Sequence, residues 1–135
     1  MKLAFYKGRE DLYDRLISWW TRGPYSHVEL VINDNYCVSS SPKDGGIRFK
    51  HIDLRPDHWD LVELEGYDPD YAYNWFKEHE GRKYDFLGIL GFVFRPLRQD
   101  KKRFFCTEAI GHALKMKEPW RLDPNTMYAV VTSEK

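Results

Sequence analysis

Two β-rich runs, residues 26–32 and 36–40, flank Asn33-Asp34-Asn35, and together they predict a hairpin. A short apolar strand over 3–6 precedes it. Residues 47–49 form another strand after the turn Lys43-Asp44-Gly45-Gly46, and residues 59–64 alternate and stop at Gly66. The helical period appears in three places. Leu12, Leu16, Ile17 and Trp20 recur at helical spacing within 11–20, which Arg22-Gly23-Pro24 breaks. Pro69 and Asp70 open a helix over 70–80, with Ala72, Trp75, Phe76 and His79 as its inner stripe and Gly81 just past its end. Residues 106–115 form another, with Ala109, Ile110, Ala113 and Leu114 facing inward. Residues 84–97 are aromatic and glycine-bearing and fit either a helix or a buried connection. A polar loop over 98–103 follows, and after Pro119 and Pro124 a strand is expected over 127–132. Strands and helices mix without βαβ regularity, so the predicted class is α+β.

Composition narrows the field. A chain of 135 residues is expected to form one domain, spanning 1–135. Apolar residues make up 42% and aromatics 16%, which argues against disorder although 31% of the chain is charged. Lys plus Arg equals Asp plus Glu at 21 each, so there is no basic surplus and nucleic acid is not an expected partner. The longest apolar run, residues 86–94, is less than half of the roughly 20 residues that span a bilayer, so no transmembrane segment is expected. MKLAFYKGRE carries no signal-peptide core. The expectation is a cytoplasmic protein, or one delivered with a phage particle. Two cysteines make no disulfide framework and suit a reducing compartment or a single thiol kept for chemistry.

Cys106 opens a predicted helix, with Thr107 and Glu108 in the first turn. A thiol there meets the positive end of the helix dipole and amide donors that stabilise a thiolate, the reactive species. The same backbone amides, at Cys106 and Thr107, suit a developing oxyanion. Position alone also fits a cysteine that simply fills the core. His27 stands at the start of a strand, after a Gly-Pro break and Ser26, where a side chain can project from the end of the sheet. Cysteine hydrolases need such an imidazole beside the thiol; a hydrogen-bonded structural histidine fits the position too. The five histidines and two cysteines show no metal-ligand spacing, so neither metal nor cofactor is expected. No phosphate loop or dinucleotide fingerprint is present, and Ser39-Ser40-Ser41 lacks the nucleophile turn of a serine hydrolase.

Pro24-Tyr25-Ser26-His27-Val28-Glu29-Leu30-Val31-Ile32 resembles the "SHvgivi" strand of circularly permuted papain-like hydrolases. These form the permuted branch of the NlpC superfamily, which includes YiiX-like and YaeF-like proteins and the lecithin:retinol acyltransferase group. Phe104-Phe105-Cys106-Thr107-Glu108 is similar to the family's "fyCSE" nucleophile motif, and Gly81-Arg82-Lys83-Tyr84-Asp85-Phe86 to its "G-x-x-YD" segment. Pro124-Asn125-Thr126-Met127 stands where many members carry "P-x-x-L" before the last strand. The order, His before Cys, is that of the permuted branch. The resemblance covers nearly the whole chain and implies a permuted papain-like fold, with Cys106 as nucleophile and His27 as general base and acid. It also implies that Tyr84 and Asp85 line a substrate groove, although a buried tyrosine hydrogen bond fits the segment equally well.

In that family a polar residue, often His or Glu, orients the imidazole from the next strand. The position twelve residues after His27 is Ser39, a weak orienter. Glu29 lies two residues from His27, on the same face of the strand and opposite Ser39 across the hairpin, and is the favoured third member, with Ser39 as accessory or substitute; the position also fits a solvated strand residue. The implied substrate is an amide in a peptide or a peptidoglycan stem peptide. An acyl lipid, hydrolysed or used for acyl transfer, ranks lower because the N-C-E-H-F-type motif and anchoring tail of the acyltransferases are missing here. The basic cluster Arg95, Arg98, Lys101, Lys102 and Arg103 fits an anionic substrate or solvated surface. Cys37 reads as packing, and Trp19, Trp20, Trp59 and Trp75 as core or groove wall. The rival classes are a catalytically silent peptide- or lipid-binding module and a redox thiol at Cys106.

Overall fold

A computed structural model describes residues 1–8, 15, 19, 23–83, 106–117, 119 and 122–133. Five strands, β1 (Lys2–Tyr6), β2 (His27–Asn33), β3 (Tyr36–Ser41), β4 (Gly46–His51) and β5 (Trp59–Glu63), form one antiparallel sheet in the order β4-β3-β2-β1-β5. Among the described residues after the sheet, three helices follow: α1 (Pro69–His79), α2 (Cys106–Ala113) and α3 (Pro124–Ser133). The α+β class is as the chain's periodicity predicts, and the five strands fall within two residues of their expected bounds.

The hairpin register puts β2 at the centre of the sheet, and its side chains alternate between two unlike faces. Val28 and Leu30 join Leu3, Phe5, Val38, Ile47 and Val62 on the face that α1, α2 and α3 cover with Ala72, Phe76, Ala109, Ile110, Met127 and Val131. This is the main core. The opposite face holds a smaller cluster of Ala4, Val31 and Cys37 under Ile52, Leu54 and Trp59. Glu29 stands on that second face, next to Ala4 in the register. Beyond the β4 edge, Gly81–Lys83 dock as a partial sixth strand: Ile47 N donates to the Arg82 carbonyl at 2.8 Å and Gly46 bridges Lys83. Gly46 has φ +152°, and a Cβ there would meet the Arg82 oxygen at 1.9 Å, so only glycine admits this segment.

Residues 127–132 were expected as a strand and are helical, within α3. Pro124 starts the helix and Asp123 caps it, accepting from Thr126 N at 2.7 Å and Thr126 Oγ1 at 2.9 Å. The β-branched run Val130-Val131-Thr132 reads as strand locally, but Met127 and Val131, four residues apart, bury one helical face. Trp19, expected in the core or a groove wall, is 72% exposed. Trp59 lines a groove and Trp75 is half-buried between the rings of His79 and His112. Most of the helix expected over 11–20, and all of 84–105, lie outside the described residues.

α3 ties the start of β2 in place. Asn125 accepts from Tyr25 N at 3.0 Å and donates to Tyr25 O at 2.9 Å. Gly23 lets it approach, since a Cβ there would meet the Asn125 Oδ1 at 2.1 Å. The Tyr25 hydroxyl donates to Asp60 Oδ2 on β5 at 2.5 Å. Asn125→Ala is expected to cost about 1–3 kcal/mol, the range for stranding partly buried backbone groups. Urea unfolding checks it, and an unchanged midpoint would show that the clamp carries no stability.

Candidate active site

His27 is the first residue of β2 and Cys106 the first of α2, and the two meet at one end of the sheet. β2 is extended and central, so alternation alone puts Glu29 beside His27 on the face opposite the helices. The His27 Nε2 donates to Glu29 Oε2. The Cys106 side chain is the ring's other hydrogen-bond partner. With Nε2 taken by Glu29, Nδ1 is the nitrogen left for the thiol.

α2 is held where it can make that contact. The Thr107 hydroxyl donates to the Leu122 carbonyl, and Gly111 packs so closely on Pro119 that a Cβ would lie 2.5 Å from the proline ring. The helix packs on β2 and β3 through Ala109, Ile110 and Ala113. The amides of Cys106 and Thr107 belong to the first turn, which has no acceptor within the helix itself. Cys106 is 2% exposed.

Charge in this cluster is strongly organised. Burial pushes the His27 imidazole toward neutrality, but the charge interactions with Cys106 and Glu29, and hydrogen bonds to both, outweigh it and raise its pKa from 6.5 to about 10. Burial likewise pushes the Glu29 carboxyl up, yet His27 and the guanidinium of Arg48 together hold it below the usual carboxylate range. Arg48 was not foreseen from the sequence. Its Nη1 donates to Glu29 Oε1 at 2.8 Å and its Nη2 to Glu29 Oε2 at 2.7 Å, a two-pronged contact, while Nε donates to Asp44 Oδ2 at 2.7 Å. The register Ser39↔Arg48 was the signal that would have found it, because it puts Arg48 in the row that Glu29 occupies.

The structure thus brings Cys106, His27 and Glu29 together and assigns Ser39 elsewhere. The Ser39 hydroxyl donates to the Val28 carbonyl at 2.6 Å, so it does not orient the imidazole. Tyr84, Asp85 and the basic residues between 95 and 103 lie outside the described residues. Cys37 is the contrasting cysteine: buried, with its thiol pushed up to about 12 by burial and the nearby charge of Glu29, which Arg48 partly offsets. A groove of about 380 Å³ reaches His27 and Glu29 between Tyr6 and Trp59 on one side and the Ser41–Asp44 turn on the other; Cys106 does not line it. No family model matches the chain, and neither a curated protein nor a solved structure does. Among the described residues no helix is long and apolar enough to cross a membrane.

The two shifts act on stability in opposite senses. His27 binds its proton more tightly when folded, so its contribution is full below pH 6.5 and is lost as the pH rises toward about 10. Glu29 is held ionised when folded, so its contribution is present above pH 4.5 and is lost as the pH falls. The stability difference between wild type and His27→Gln should therefore be largest between pH 4.5 and 6.5 and shrink toward pH 10. Urea titrations across that range check it; a difference that grows with pH contradicts the assignment.

Proposed function

We propose that the protein is a cysteine hydrolase of the permuted papain-like type, acting on amides. The observation that carries this reading is the imidazole of His27 held between Glu29 and the Cys106 thiol, with that thiol at a helix start. The resemblance of the segments around His27 and Cys106 to the permuted branch of the NlpC superfamily supports the same conclusion and the choice of a peptide or peptidoglycan stem peptide as substrate.

The chemistry follows from the arrangement. In the resting pair the thiol proton sits on His27 Nδ1, and the Cys106 thiolate attacks the carbonyl carbon. The resulting oxyanion is met by the first-turn amides of Cys106 and Thr107. The imidazolium passes its Nδ1 proton to the departing amine, leaving a thioester on Cys106. His27 then takes a proton from water as that water attacks the thioester, and returns it to the sulfur as the acid leaves. Glu29 keeps the Nε2 proton in place throughout and offsets the imidazolium charge. An ester or thioester of an acyl lipid would pass through the same intermediate.

Burial of Cys106, and a groove that touches His27 but not the thiol, favour a second reading, a silent binding module that keeps the cluster as structure. Alkylation separates the two. With iodoacetamide at pH 6, Cys106 of the wild type should react at least about tenfold faster than in His27→Ala, as for thiols paired with an imidazole. A screen of fluorogenic peptide amides and acyl esters should then find turnover that Cys106→Ala abolishes and that Glu29→Gln lowers by about 10²–10⁴. Slow alkylation, equal in wild type and His27→Ala, would leave the binding module.

A further inference from the structure

Arg48 stands on β4 and Glu29 on β2, with β3 between them, so the guanidinium has to span two strand spacings, roughly 9–10 Å. Two features permit this. The residue between them, Ser39, is small, and its hydroxyl is turned to the Val28 carbonyl. On the far side of Glu29 the register partner is Ala4, equally small. The arginine therefore reaches across the row of Ser39 to both carboxylate oxygens, and its remaining Nε is fixed by Asp44 in the β3–β4 turn. Lys50 approaches the same Asp44 oxygen at 3.8 Å. Glu29 is fully buried, so this is no surface ion pair whose geometry solvent would loosen.

We infer that Arg48 is a positioning residue that acts through Glu29, locking the carboxylate with Oε2 on the His27 Nε2, and that Asp44 locks Arg48 in turn. The inference rests on the hydrolase reading and names what that reading lacks. When His27 gives its Nδ1 proton to a leaving group, Glu29 loses a cationic partner while remaining buried. A carboxylate held by the imidazole alone would then draw the Nε2 proton to itself or swing away. With the guanidinium on both oxygens, Glu29 stays ionised and in place, and the Nε2 proton remains on the ring. The charged and titratable neighbours fit this role. Glu29 faces His27 on its own strand, Arg48 from β4 and Cys37 from β3, while His27 faces Cys106 from α2 and pairs with Tyr6 of β1 in the register.

The test is a double-mutant cycle read by the pH dependence of iodoacetamide alkylation at Cys106, located by peptide mass. Arg48→Met should slow alkylation at pH 6 by roughly tenfold, with Arg48→Lys keeping part of the rate because it restores charge without the fork. In a Glu29→Gln background the same Arg48→Met change should add less than about twofold, because the residue through which Arg48 acts is already neutral. If Arg48→Met does not fold, Asp44→Asn, in the exposed turn, is the substitute and should give a smaller loss with the same dependence on Glu29. A full loss from Arg48→Met in the Glu29→Gln background, or an unchanged pH profile in folded Arg48→Met, overturns the inference. Those results differ from failure of the hydrolase reading itself, in which His27→Ala leaves wild-type alkylation unchanged and the inference falls with it.

Discussion

A carboxylate buried at the centre of a five-stranded sheet is the constraint on which the rest of the arrangement depends. Glu29 is fully buried on β2, and burial alone would drive it neutral. It stays charged because two cations close on it from different directions, the imidazole along its own strand and the guanidinium from two strands away. Ala4 and Ser39 make room for both. Removing Arg48 would leave the buried carboxylate to the imidazole alone, a far larger cost than losing a surface pair. The cluster is therefore kept by folding as much as by any chemistry it performs.

The helical face supplies the other half. Val28 and Leu30 bind the helices while Glu29 and His27 point away, so a single strand serves the core with one set of side chains and the site with the other. Only at the strand's end does the helical layer come within reach of the imidazole, and there α2 presents Cys106. The contacts that fix this junction lie in the connecting segments: Asn125 on the Tyr25 backbone, Thr107 on the Leu122 carbonyl, and Gly111 against Pro119. The sheet and the clamped start of α2 hold the pair together.

The strands were legible because their limits are written in turn chemistry: Asn33-Asp34-Asn35 and Lys43-Asp44-Gly45-Gly46 close hairpins whatever surrounds them. The proximity of Glu29 to His27 was legible for a similar reason, since strand alternation is strictly local. Arg48 was not, because its meeting with Glu29 depends on the register of two hairpins in succession and on Ser39 being small. The α3 helix was missed where β-branched residues argued for a strand, and the decisive signals, the Asp123 cap and the Met127–Val131 spacing, weigh less in the sequence than in the packed molecule. The position of Ser39 opposite Glu29 suggests a role on the imidazole, but its hydroxyl bonds across the hairpin to the Val28 carbonyl instead.

The most direct measurement of the central claim is the charge and tautomer of the His27 ring, read from long-range ¹H–¹⁵N correlations in wild type and Cys106→Ala across pH 5–10. An imidazolium at neutral pH with Nε2–H held by Glu29 is expected, with a midpoint well above 6.5 in the wild type and a lower midpoint once the thiol is removed. A ring that titrates near 6.5 and is indifferent to Cys106→Ala would mean that the thiol and imidazole are neighbours without being a pair.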